Sequence, residues 1–134
     1  MPYPAAPTLL YVEDEILIQI TFLAFLEDAG FRIIVASDGA QALALLATEP
    51  LDLQGLITDV NLGEGPNGWD VARSARALVC DLPVVYVTSA SHRDWTSNGV
   101  CNSLMISKPC LPSQPVAAMT SLFKGCPQVI PFRS

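Results

Sequence analysis

The sequence has little charge and, above all, little positive charge. Only 15% of the 134 residues are charged, and 7 Lys and Arg face 13 Asp and Glu, which gives a net charge of −6. Direct binding of nucleic acid relies on clustered Lys and Arg, and the sequence contains no such cluster. We therefore expect no nucleic-acid partner.

Long apolar runs are also missing. The longest apolar stretch, residues 16–26, is interrupted by Gln19 and Thr21, whereas a membrane-spanning helix needs about 20 apolar residues. The beginning of the chain lacks the charged and then apolar segments of a signal peptide. We expect a cytoplasmic protein with no membrane partner.

Cysteine and histidine are too sparse for a zinc site or for a fold held together by disulfides. The four cysteines, Cys80, Cys101, Cys110 and Cys126, form no CxxC pair, and His92 is the single histidine. Neither a zinc site nor a small disulfide-rich fold is indicated. We expect four reduced thiols.

The residues that are abundant are hydrophobic, at 51% of the chain, which argues against disorder. A chain of 134 residues suffices for one domain and is short for two. We expect residues 1–134 to form a single domain with a core over about 8–123 and a C-terminal tail at 124–134.

Apolar segments rich in Val, Ile and Leu alternate with helical segments along the whole chain. The expected strands are residues 8–13, 31–36, 53–58, 83–88 and 103–107. The expected helices are residues 15–29, 39–48, 69–79, 112–123 and a weak helix at 92–99. This alternation predicts an α/β fold, a doubly wound five-stranded parallel sheet with helices on both faces.

Four of the expected strands end on polar residues: Glu13 with Asp14, then Asp59, Thr88 and Lys108. The carboxyl ends of parallel strands open onto one edge of the sheet, so these side chains should converge. Carboxylates suit Mg²⁺, and an Asp can attack phosphorus. Hydroxyl and ammonium groups bind phosphoryl oxygens. The sequence thus predicts a site for a divalent cation and a phosphoryl group.

This pattern resembles the receiver domain of two-component response regulators, the CheY-like family, over about Thr8 to Phe123. The resemblance implies a flavodoxin-like (βα)5 fold with strand order 2-1-3-4-5. It also implies a phosphorylation-activated switch rather than an enzyme, with Asp59 as phosphoacceptor, Thr88 as switch hydroxyl and Lys108 as phosphate-binding lysine. The implied Mg²⁺ ligands are Glu13, Asp14, Asp59 and the backbone carbonyl of Asn61.

The resemblance also implies partners. A histidine kinase or a histidine phosphotransfer protein would donate the phosphoryl group. Because the chain has no room for a DNA-binding or enzymatic output domain, we expect output through contact with an unidentified downstream protein or through phosphate relay. We expect a monomer or weak homodimer. A stand-alone regulator and a receiver excised from a hybrid histidine kinase both fit.

Three positions depart from the family pattern. Gly63 replaces a proline in the loop after the phosphoacceptor, which leaves the chemistry intact. Met105 replaces the aromatic residue that usually moves with the switch hydroxyl, so the readout should differ. Ala90 cannot orient an attacking water, although Asn61 can, so we expect modest self-dephosphorylation.

The first helix carries two apolar stripes. The stripe expected to face the sheet is Ile18, Phe22, Phe25, Leu26 and Ala29. A second stripe lies on another face and comprises Ile16, Ile20 and Leu23. Isolated surface apolar residues are common, but contiguous ones mark interfaces, so the second stripe is either an ordinary surface or a docking site for the phosphodonor.

Two rival functions use similar residues. A haloacid-dehalogenase-like phosphohydrolase also combines an Asp nucleophile with Mg²⁺, but it needs a second acid where this chain has Asn61. It also typically carries a cap domain, for which the chain is too short. A degenerate receiver that is never phosphorylated is disfavoured by the complete set of acids, Thr88 and Lys108.

Overall fold

The computed structural model describes residues 6–48 and 52–124, in which strands and helices alternate strictly. The strands are β1 Thr8–Val12, β2 Arg32–Ala36, β3 Leu53–Thr58, β4 Val84–Thr88 and β5 Ser103–Ser107. The helices are α1 Ile16–Asp28, α2 Gly39–Thr48, α3 Gly68–Leu78, α4 His92–Asn98 and α5 Ser113–Lys124. Each predicted element is present, and no end differs from the prediction by more than one residue.

All strand pairs are parallel, and the sheet order is β2-β1-β3-β4-β5, which confirms the predicted doubly wound topology. Successive residues of a strand face opposite sides of the sheet. In β1, Leu10 and Val12 join the core under α2 and α3, whereas Leu9 and Tyr11 join the core under α1 and α5. The sheet is thus buried on both faces, as its nearly continuous apolar strands predict.

The predicted sheet-facing stripe of α1 is wrong at two positions. Phe25 is 47% exposed, and Ala29 is the exposed C-terminal cap residue. The buried face instead centres on Gln19, Phe22 and Leu26, at helical spacings of three and four. Gln19 belongs there because its side-chain amide donates to the buried backbone carbonyl of Glu13. A prediction from hydrophobicity alone overlooks such a hydrogen bond.

The weak helix of the sequence is the short helix α4, which has no buried residue. A reciprocal capping box between Ser91 and Asp94 closes its N-terminus and gives this polar segment a defined start. Partly buried Trp95 fastens the helix to the sheet, because its indole Nε1–H donates to Ser103 Oγ at 2.9 Å.

Residues 125–134 of the expected C-terminal tail, including Cys126, lie outside the described residues. The other three cysteines are free thiols. Within residues 6–48 and 52–124, no helix is long and apolar enough to cross a membrane.

Candidate functional site

Backbone hydrogen bonds extend the sheet by one residue beyond several strands and so fix the polar residues at its edge. Glu13 N–H donates to Ala36 O at 3.1 Å, and Asp59 N–H donates to Val12 O at 3.0 Å. Lys108 N–H donates to Thr88 O at 3.0 Å. The predicted convergence of strand ends is therefore observed.

Three carboxylates gather at this edge. Glu13, Asp14 and Asp59 each offer an oxygen, and these oxygens lie within 4.8 Å of one another. Glu13 and Asp59 are buried and Asp14 is exposed, so the cluster is open to solvent on one side. Such an all-oxygen set fits a hard divalent cation that keeps some of its water ligands.

Lys108 bridges two of these acids. Its Nζ donates to Asp59 Oδ2 at 2.8 Å and to Glu13 Oε1 at 3.1 Å. Burial alone lowers the pKa of Lys108, but the hydrogen bond and charge of Asp59, followed by Glu13, outweigh it and place the pKa above its ordinary value. The pocket therefore contains a firmly charged ammonium group.

Glu13 is almost completely buried, at 1% exposure. Burial raises the pKa of its carboxyl group, against the opposing effects of a hydrogen bond from Glu15 N–H and of Lys108. Glu15 N–H donates to Glu13 Oε2 at 3.1 Å, whereas Lys108 binds Oε1. Each oxygen of the carboxylate therefore has its own partner. Lys108 is thus the positive charge that balances this buried acid.

Gln19 is a supporting residue that the sequence analysis missed. Its Nε2 donates to Glu13 O at 2.9 Å and to Ser37 Oγ at 3.3 Å. It thereby ties α1 to the end of β1 and to the loop after β2. The signal for this role is a single amide side chain within the mostly apolar part of α1.

Asp59 is held by its own loop. Its Oδ1 accepts the N–H groups of Val60 at 2.6 Å and Asn61 at 3.3 Å. Gly68, at the start of α3, is packed against the backbone of Asp59 so closely that a Cβ would overlap its carbonyl oxygen. Asn61 thus contacts the pocket through its N–H, and its side chain is exposed.

Thr88 is fully buried at the end of β4, and its Oγ1 accepts a hydrogen bond from Ala90 N–H at 3.2 Å. Met105 lies opposite Tyr86 in the β4–β5 register and is partly buried against the α2 and α3 core. The hydroxyl and Met105 are therefore on the same side of the sheet, next to α4.

Comparisons with known proteins agree with this geometry. The family model described as "Response regulator receiver domain" matches residues 9–119. The chain is 38% identical over 108 residues to the alginate biosynthesis transcriptional regulatory protein AlgB of Pseudomonas aeruginosa, covering 79% of this chain. It spans only 23% of that relative's length.

Solved structures show the same fold. A response regulator receiver protein from Sinorhizobium medicae has a TM-score of 0.85 and 34% identity, covering 90% of this chain and 96% of that one. The receiver domain of the sensor histidine kinase PA1611 from Pseudomonas aeruginosa has a TM-score of 0.73 and 21% identity over 88% and 98% of the two chains. That structure has a magnesium ion coordinated in its active-site cleft.

Proposed function

Because the chain belongs to the response regulator receiver domain family, we propose that Asp59 accepts a phosphoryl group and that this acceptance switches the protein between two states. The observation that supports this most is the double contact of Lys108 Nζ with Asp59 and Glu13 beside an open carboxylate cluster. Beryllofluoride binding that requires both Mg²⁺ and Asp59 tests the proposal.

In the proposed reaction, a carboxylate oxygen of Asp59 attacks the phosphorus of a phosphohistidine. The new O–P bond gives an aspartyl phosphate while the N–P bond breaks, and the histidine nitrogen leaves with the electron pair. Lys108 is close enough to Asp59 to neutralise charge on the transferred oxygens. The reaction is a single transfer onto the protein itself, so we propose no catalytic turnover of other substrates.

Glu13, Asp14 and Asp59 would hold Mg²⁺, with the backbone carbonyl of Asn61 as the further ligand. When bound, the ion offsets the negative charge that the carboxylates and the phosphoryl group bring together. Lys108 is then no longer the only positive charge that balances the carboxylates of the pocket. Its ammonium group becomes available to the phosphoryl oxygens.

The proposed readout begins at Thr88. Its hydroxyl leaves the Ala90 N–H for a phosphoryl oxygen, and this moves the loop that leads into α4. Met105, which replaces the usual aromatic residue, lies beside Tyr86 and packs with the same core as Trp95 of α4. Because α4 has no buried residue, it is the helix that the movement of this loop displaces most easily.

We propose that the phosphodonor, a histidine kinase or a histidine phosphotransfer protein, docks on α1. This helix begins directly after the pocket acids, and Ile16 and Ile20 are 59% and 57% exposed. Leu23 is partly buried beside them, and Leu17 adds a further exposed apolar side chain. An apolar surface next to the reactive carboxylate would bring a helical donor's phosphohistidine within reach.

The variant Ile20→Asp tests this docking surface. We expect the rate of transfer from a phosphorylated histidine kinase at limiting concentration to fall about tenfold, as for loss of a central apolar contact. Phosphorylation by a small phosphodonor, which needs no docking, should be unchanged. Both rates can be followed with radiolabelled phosphate.

Leu78→Asp is the matched control, because Leu78 is 61% exposed on α3, against the other face of the sheet. It should transfer like the wild type. Equal transfer rates for Ile20→Asp and Leu78→Asp would remove α1 as the docking site.

We propose that the protein is cytoplasmic, in keeping with the free thiols of Cys80, Cys101 and Cys110. We further propose that its output is a contact with a downstream protein or phosphate relay. Although the AlgB relatives are named transcriptional regulators, the acidic net charge of −6 favours protein contacts for this domain.

A further inference from the structure

The Tyr11 hydroxyl is an exception in the hydrogen bonding of the protein. Tyr11 is 2% exposed, and among the side chains that the structure describes it carries the only buried polar atom without a hydrogen-bond partner. A buried hydroxyl that gives up its hydration for no partner costs free energy. Phenylalanine would fill the same space without that cost, so the hydroxyl calls for an explanation.

The position of Tyr11 relates it to the pocket. It lies two residues before Glu13 in β1 and opposite Ile57 in the parallel register, and Ile57 lies two residues before Asp59. Because the side-chain period of a strand is two, Tyr11 shares a sheet face with both acids. The ladder bonds of Glu13 and Asp59 extend this alternation to the edge of the sheet.

The surroundings of the hydroxyl are acidic. Burial raises the pKa of Tyr11 far above its ordinary value, and the nearby charges of Glu13 and Asp59 raise it further. The ring stacks on Phe22 of α1, with 6.4 Å between centroids and 13° between planes. Tyr11 therefore carries an unpaired O–H on the sheet face of two carboxylates, Glu13 and Asp59, whose oxygens are already bound by Lys108 and backbone N–H groups.

We propose that Tyr11 is a positioning residue that stabilises the phosphorylated state, an inference that rests on the proposed function. When the Lys108 ammonium moves from Glu13 to a phosphoryl oxygen, the Glu13 carboxylate, which would hold Mg²⁺, loses its ammonium partner and keeps the Glu15 N–H. The Tyr11 O–H then donates to this carboxylate and holds it in the orientation that the metal site needs. The hydroxyl is thus unpaired in the resting state and paired in the phosphorylated one.

The variant Tyr11→Phe tests this inference, because resting stability and ligand affinity should move in opposite directions. Without ligand, the melting temperature should stay the same or rise, since an unpaired hydroxyl is removed. In the presence of Mg²⁺, the affinity for beryllofluoride should fall about tenfold, the equivalent of one hydrogen bond to a charged group. The aspartyl phosphate formed from a small phosphodonor should also have a shorter lifetime.

Tyr86→Phe is the control for the stability measurement, because the buried Tyr86 hydroxyl accepts a hydrogen bond from Val100 N–H at 3.2 Å. That variant should lose stability. A beryllofluoride affinity in Tyr11→Phe equal to that of the wild type would overturn the inference, and so would a lower melting temperature without ligand. A wild-type protein that shows no Asp59-dependent binding would instead refute the proposed function.

Discussion

The variant Asp59→Asn is expected to accept no phosphoryl group and to show no response to beryllofluoride in the presence of Mg²⁺. An amide has no free carboxylate oxygen to attack phosphorus or to ligate the beryllium atom. The loss should be complete rather than partial, because Glu13 is buried and bound on both oxygens. The response can be followed by tryptophan fluorescence in a Trp69→Phe background, in which the signal comes from Trp95, whose indole is hydrogen-bonded to Ser103 of β5.

The fold should survive this change. An asparagine at position 59 keeps an oxygen to accept the N–H groups that Asp59 Oδ1 now accepts from Val60 and Asn61. Asp52→Asn, an exposed aspartate outside the pocket, is the matched control and should respond like the wild type. Full phosphorylation of Asp59→Asn would show that another residue is the acceptor.

We expect the variant Lys108→Ala to be less stable than the wild type without ligand. Its affinity for beryllofluoride should fall, and its affinity for Mg²⁺ should rise. Removing one partner of a buried ion pair leaves Glu13 and Asp59, with 2% and 8% of their side chains exposed, without their cation. The free energy of unfolding should fall by about 3 kcal/mol at neutral pH, as measured by urea denaturation.

Beryllofluoride should bind at least about tenfold more weakly to Lys108→Ala, because a charge-assisted contact to the phosphoryl position is lost. Mg²⁺ should bind more tightly, because the carboxylates no longer share their oxygens with an ammonium group. Arg73→Ala is the control for stability, since its pair with Asp70 is about half exposed and should contribute less than about 1 kcal/mol. A stability loss no larger than that of Arg73→Ala would contradict the buried pair.

The strand ends show why so much of the site was predictable. Glu13, Asp59 and Lys108 each follow an apolar strand, and a parallel sheet sends all such positions to one edge. Residue type and strand order therefore determine which side chains meet. The family resemblance added the roles of these residues, which the spacing alone leaves open.

Other features depend on side-chain geometry that a pattern does not contain. The sequence shows Tyr11 as one more core residue, and only its surroundings reveal a hydroxyl without a partner. Gln19 looked like an interruption of an apolar helix, yet its amide supports Glu13. Phe25 was misplaced because hydrophobicity does not distinguish the buried face from its neighbour on a helix that is apolar nearly all round.

The most direct measurement of the central claim is peptide-level mass spectrometry of the protein after incubation with Mg²⁺ and acetyl phosphate. The predicted result is one phosphoryl group on the peptide that contains Asp59, removed by hydroxylamine as an acyl phosphate and absent from Asp59→Asn. An unmodified protein, or a phosphoryl group on a different peptide, would contradict the assignment of Asp59 as the acceptor.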